Sequence, residues 1–200
     1  MKSMRLTALI PLLVLATFVA STLPANAEPV PRWLSDGKEI GQGLVTVKTS
    51  GTLTFDLTQF GVDVTCKVTD VEKISNPASG GPGLDEMTTF KLTGCKETGP
   101  APLCATAMEV TAHGLPWHSH LAIEPPAPGI RDVIEGIELS FKCKKGKSFG
   151  TFKGSLDPKV GNSVLEFEGG KGLSGEFGTV TVTGKDKLKG PKGDTVITAA

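Results

Sequence analysis

The sequence predicts an all-β fold, an antiparallel β-sandwich with a β-barrel as the alternative, and three observations carry that prediction. Twenty-five glycines and fourteen prolines divide the 200 residues into short pieces. Between them, Val, Thr, Phe, Ile and Leu alternate with polar residues at a period of two, as in strands with one buried and one wet face. No stretch beyond residue 27 repeats apolar residues at helical spacing over three turns, so any helix is short. Many short strands with glycine-rich turns build sandwiches or barrels. The apolar strand faces offer no polar lumen, which favours the sandwich.

At the amino terminus, Lys2 and Arg5 precede an almost wholly apolar run from Leu6 to Ala20, and Ala25-Asn26-Ala27 follows with a small-x-small pattern. That order is a secretory signal peptide, expected over residues 1–27. The run of about 15 residues is short of the roughly 20 that span a bilayer. The first cysteine is Cys66, so none sits at the cut to accept a lipid. Residues 28–200 are then a single all-β domain, a normal domain size, expected to be secreted into the extracellular space and to have no membrane attachment after cleavage.

Strands are expected at 44–47, 53–57, 62–68 with continuation to 74, 88–93, 105–111, 135–142, 149–156, 164–167, 180–183 and 195–198, about ten by the alternation rule. Asn76 to Leu84, rich in Gly and Pro, reads as an exposed loop. Glu124 to Gly129, with Pro125, Pro126 and Pro128, reads as a stiff extended connector, and Gly169 to Gly175 as a glycine-rich turn.

The four cysteines are Cys66, Cys95, Cys104 and Cys143. In an exported chain an even count suggests two disulfides, and four cysteines allow three pairings. Cys95 and Cys104 flank a Gly- and Pro-containing stretch suited to a hairpin staple. Cys66 shares a strand face with Val62, Val64 and Val68, and Cys143 with Ile137, Leu139 and Phe141. Local patterning therefore favours Cys95–Cys104 and Cys66–Cys143. The absence of short C-x-x-C spacing argues against zinc.

Charge excludes some partners. Without the signal, 19 basic side chains face 21 acidic ones, which gives no electrostatic case for nucleic acid or anionic membrane. The basic cluster Lys142 to Lys147 reads as a solvated turn.

Candidate chemistry is sparse. His113, His118 and His120 cluster around Gly114-Leu115-Pro116-Trp117, and on a strand His118 and His120 share a face. Two imidazoles so spaced are able to hold zinc or copper, although no third ligand stands beside them. Gly146-Lys147-Ser148-Phe149-Gly150 matches a Gly-x-Ser-x-Gly elbow, but a strand rather than a helix is expected after it and no histidine follows Ser148, so it reads as a hairpin turn. The overlapping Gly-Lys-Ser lacks the first glycine of a phosphate loop, Phe141 standing in its place. Carboxylate pairs for glycoside hydrolysis could be drawn from Glu124, Asp132, Glu135, Glu166 and Glu168. No calcium-loop pattern is present and no cofactor is expected. The chain has no tyrosine, which leaves Trp33 and Trp117 as the side chains suited to stacking on a sugar ring.

Trp-Leu-Ser-Asp-Gly at 33–37, Val-Thr-Cys-Lys-Val-Thr-Asp at 64–70, Leu-Thr-Gly-Cys at 92–95, Leu-Pro-Trp-His at 115–118 and Lys-Leu-Lys-Gly at 187–190 occur in an order that resembles an uncharacterised family of small secreted actinobacterial proteins. The resemblance implies export and a shared fold, and carries over no catalytic or binding residue. The expected function is a non-catalytic extracellular or cell-envelope binding or structural module, its partner a cell-envelope polymer or another extracellular protein. The rivals are a secreted hydrolase acting on a polysaccharide through carboxylates, and a metal or small-ligand carrier using the His113–His120 segment.

Overall fold

Alternation runs along almost the whole chain, and strands follow it. The computed structural model describes residues 29–105, 107–124, 129–192 and 196–200. The signal expected at 1–27 and the prolines at 125–128 lie outside the described residues. Thirteen strands are described: β1 (Trp33–Ser35), β2 (Lys38–Glu39), β3 (Val45–Leu57), β4 (Val62–Ser75), β5 (Leu84–Thr98), β6 (Met108–His113), β7 (Trp117–Glu124), β8 (Gly129–Cys143), β9 (Ser148–Leu156), β10 (Lys159–Val160), β11 (Val164–Gly175), β12 (Gly178–Lys189) and β13 (Ile197–Ala199). One 3-10 turn, Thr58–Phe60, joins β3 to β4 and ends on Gly61 at a φ of 66°, a left-handed conformation that glycine adopts without a Cβ clash.

The all-β, antiparallel class expected from the sequence is what the structure has. Every pairing is antiparallel. In the large sheet the pairings run β11–β12–β3–β4–β5–β7–β8–β9 and return to β11, so the ladder closes on itself. β6 continues the line of β7 along the same edge of β8. Phe55 of β3 and Phe141 of β8 lie far apart around this path, yet their rings meet edge-on at 5.5 Å, and Phe141 meets Phe152 at 5.5 Å. Two walls therefore face each other across one core. On β4 that core takes Val62, Val64, Cys66 and Val68, while Asp63, Lys67 and Thr69 point to water. Full burial of each large apolar side chain contributes about 1.5–3 kcal/mol.

A second sheet, β13–β1–β2, brings the two ends of the described chain together through Trp33↔Ala199. Asn76 holds it to the large sheet. Its Oδ1 accepts the Trp33 N–H at 2.8 Å, and its Nδ2 donates to the carbonyls of Trp33 (2.9 Å) and Ile40 (2.7 Å). Gly83 lies under the Trp33 ring, where a Cβ would sit 2.5 Å from its Cδ1.

Four expectations need correction. The disulfides are Cys66–Cys95 and Cys104–Cys143, with Cα–Cα distances of 4.1 and 5.4 Å, not Cys95–Cys104 and Cys66–Cys143. The hairpin staple required the strand after Cys104 to pair with β5, but β6 pairs with β8. Cys66 and Cys95 instead sit on neighbouring strands where the β4–β5 register shifts between Thr65 and Lys67. Asn76 to Leu84 is irregular up to Gly83, as expected, but it is not wholly exposed, since Asn76 and Gly83 are buried. Gly169 to Gly175 belongs to β11, whose partners β12 and β9 take both of its edges, with a register shift between Glu168 and Gly172 absorbing the extra glycines. β7, around the histidines, was not among the expected strands.

Candidate functional site

The inner face of β4 does not stay apolar. After Val68 the inward positions are Asp70 and Glu72, and only then Ile74. Register brings matching polar residues from the neighbours. Thr49 of β3 lies opposite Asp70, Asp85 of β5 opposite Ser119 of β7, and Asp186 of β12 opposite Gly51. Asp132 of β8 completes the set. All seven side chains are buried, Glu72 and Asp132 completely. No lysine, arginine or histidine is buried among the described residues.

Five buried carboxyls with no buried counter-cation beside them cannot all ionise, because burying an unpaired charge costs far more than keeping its proton. Burial is the leading cause of a raised pKa at every one of them. Glu72 and Asp85 are pushed well above the usual carboxylate range, with neighbouring carboxylates adding to burial. Asp132 rises to about 7 and Asp186 to about 8, the charge of Asp70 contributing to both. Asp70 rises as well. The Thr49 hydroxyl donates to Asp186 Oδ2 at 2.9 Å. Hydrogen bonds within the layer link Asp70 to Asp186 and Glu72, Asp85 to Glu72 and Ser119, and Asp132 to Ser119. Among the described residues no three His, Cys, Asp or Glu side chains are grouped so as to hold a metal ion.

One open feature of the surface lies between β5 and β6. β5 pairs with β7 only over Leu84 to Met87, and from Thr88 onward β6 lies alongside that edge without a paired register. β6 spends its pairing on β8 and turns its other edge toward β5. Gly94, at a φ of 61°, sits at the irregularity that carries the Cys66–Cys95 bridge. A Cβ there would meet nothing within 4 Å. Bulges of this kind turn an edge away from its neighbour. The result is a groove of about 450 Å³, lined by Leu92, Gly94 and Cys95 on one side, Met108 and Val110 on the other, and Lys144 at the rim. Phe90, half-buried, packs against Trp117 with ring centroids 5.2 Å apart.

The residues singled out from the sequence are dispersed. Trp33 is fully buried in the core, and Trp117 is only 2% exposed, its Nε1 donating to the His113 carbonyl at 2.9 Å. His113 Nε2 lies 2.8 Å from Ser140 Oγ on β8. His118 and His120 do share the outer face of β7, opposite Glu135 and Val133 of β8. Of the acidic candidates, Glu124 and Glu168 clamp Arg131, Glu166 pairs with Lys185 at 2.6 Å, and Asp132 is sealed inside. Ser148 opens β9, and strand follows it.

Sequence reasoning named Asp132 without its neighbours. Parity was the available signal, since Asp70 and Glu72 fall on the same face as Val68 and Ile74, and Asp186 on the face of Val182 and Leu188. The groove had no such signal, because it arises from a pairing that stops. Comparison of the chain with protein-family models, curated proteins and solved structures finds no match.

Proposed function

We propose that the protein is a secreted, non-catalytic binding module of the extracellular space or cell envelope, and that the β5–β6 groove is its contact surface. The groove carries this reading. It is a place where strand edges, apolar side chains and solvent meet, whereas of the carboxyls a hydrolase could draw on Asp132 is sealed, Glu124, Glu166 and Glu168 are tied to arginine or lysine, and Glu135 stands alone on the outer face of β8. Two disulfides support an oxidising compartment. Among the described residues no helix is long and apolar enough to cross a membrane.

Co-sedimentation of the purified protein with bacterial cell-wall material tests it. Thr111 is exposed on β6 and lines the groove. Saturable pelleting by the parent protein, lost in Thr111→Trp, is the expected result. Pelleting that Thr111→Trp leaves unchanged removes the groove from the reading, and no pelleting removes the envelope partner.

A further inference from the structure

We propose that the envelope partner is a linear anionic polysaccharide, held by a lysine face on the outer side of β12, β3, β4 and β5; this deepens the reading of the protein as an envelope-binding module and rests on it. Register is the first argument. Three neighbouring rows of outward side chains cross the four strands. Lys185 and Lys67 lie in one row, Lys187 and Lys91 in the next, and Lys189 and Lys48 in the third. Between the lysines the hydroxyls of Ser50, Thr52 and Thr69 form a polar floor open to solvent. The three rows contain no carboxylate. Strand and residue spacings make the area roughly 14 Å on each side. Lys185 is held by Glu166 of β11 at 2.6 Å. The other five lysines are exposed and form no ion pair with a described residue.

Charge is the second argument. The chain has as many acidic as basic residues, and on β6, β8 and β9 they are intermixed, Lys142 with Glu109 and Lys153 with Glu138. On the lysine face they are segregated. Lys48 even stands directly opposite Lys189, an arrangement that costs stability between like charges and that an anion between them relieves. A cavity of about 400 Å³ opens there, lined by Thr46, Lys48, Lys189, Gly190 and Pro191. Side-chain chemistry selects the polymer. Lysine carries a compact charge with rotatable donors, without the planar fork of arginine, so the face reads charge along a chain. It has no aromatic side chain on which nucleic-acid bases would stack, and Val71, half-buried, is the apolar residue in its rows. Hydroxyls and ammonium groups match the hydroxyls and anions of a charged glycan. The face also meets the groove, because Thr93 lines the groove and stands opposite Lys67.

Fluorescence anisotropy with labelled polygalacturonate tests the proposal, alongside neutral dextran and a single-stranded oligothymidylate. The expected result is saturable binding of polygalacturonate, none of dextran, and weaker binding of the oligonucleotide. Lys48→Gln/Lys67→Gln/Lys189→Gln should weaken polygalacturonate binding at least tenfold, as should salt at about 0.5 M, which screens exposed charges. Lys142→Gln/Lys145→Gln/Lys153→Gln, which removes equal charge elsewhere, should change it less than twofold. The first variant should melt no lower than the parent, since it relieves like-charge repulsion. Equal losses in the two variants, oligonucleotide binding as tight as that of polygalacturonate, or no binding of polygalacturonate at low salt overturns the proposal. Cell-wall pelleting that is lost in Thr111→Trp but unchanged in the first variant overturns the polymer class and leaves the groove standing. Polygalacturonate binding that is lost in the first variant but unchanged in Thr111→Trp removes the groove and supports the lysine face.

Discussion

At the scale of single residues, Asn76 shows how one polar side chain positions a whole sheet. It is fully buried and makes three hydrogen bonds to the backbone of Trp33 and Ile40, which no apolar residue reproduces. Asn76→Ala leaves those buried groups unpaired, at about 1–3 kcal/mol for a group stranded without a partner. The expected loss in urea unfolding is about 3 kcal/mol, together with faster hydrogen exchange at the Trp33 amide. A loss under about 0.5 kcal/mol would show that β1 and β2 do not depend on it. Asn76 opens a Pro- and Gly-rich stretch, and that composition correctly marked the backbone as irregular. What composition does not encode is that the chain's first described strand returns to lie on this residue, a contact between positions 43 apart.

Among elements, most strands were legible and their partners were not. Alternation identified β4 closely because its two faces are cleanly divided, and it placed β9 although Phe149 and Phe152 are buried at opposite parity across an irregularity in its pairing with β8. β7 escaped because Trp117-His118-Ser119-His120 places a serine, not an apolar residue, inward between Trp117 and Leu121. That serine belongs to the carboxyl layer, so a strand was disguised by the polar feature it helps to build. Pairing is the deeper gap. The disulfides follow the neighbours of β5 and β8, and local pattern around each cysteine says nothing about neighbours. Peptide mapping without reduction should recover Cys66–Cys95 and Cys104–Cys143; a Cys95–Cys104 peptide would overturn the register of β4 against β5. Removing the Cys66–Cys95 bridge, which closes 29 residues of separation, should cost about 2–5 kcal/mol. Because Cys95 also lines the groove, the same change should loosen the β5 edge.

For the whole molecule, the carboxyl layer ties stability to pH, in the direction opposite to that of surface ion pairs. A carboxylate held by a cation loses its stabilising effect as pH falls. Here the folded state raises the pKa of Asp70, Glu72, Asp85, Asp132 and Asp186, so it binds protons more tightly than the unfolded chain. Unfolding above pH 4 therefore releases protons, and stability falls as pH rises. The contribution is complete below the ordinary carboxylate range and drains away as pH climbs through about 7 for Asp132 and about 8 for Asp186. Each carboxyl that remains protonated in the fold adds a slope of about 1.4 kcal/mol per pH unit. Thermal melts from pH 4.5 to 9 should show a midpoint that declines through neutrality. Glu72→Gln and Asp132→Asn keep shape and neutrality without a proton to lose, so each should flatten the profile and raise the midpoint at pH 8 while changing little at pH 5. A parent midpoint that rises between pH 5 and 8 would mean that the layer is ionised and neutralised by a bound cation. In that case a chelator should lower the midpoint at pH 8, and Asp132→Asn should lower it too.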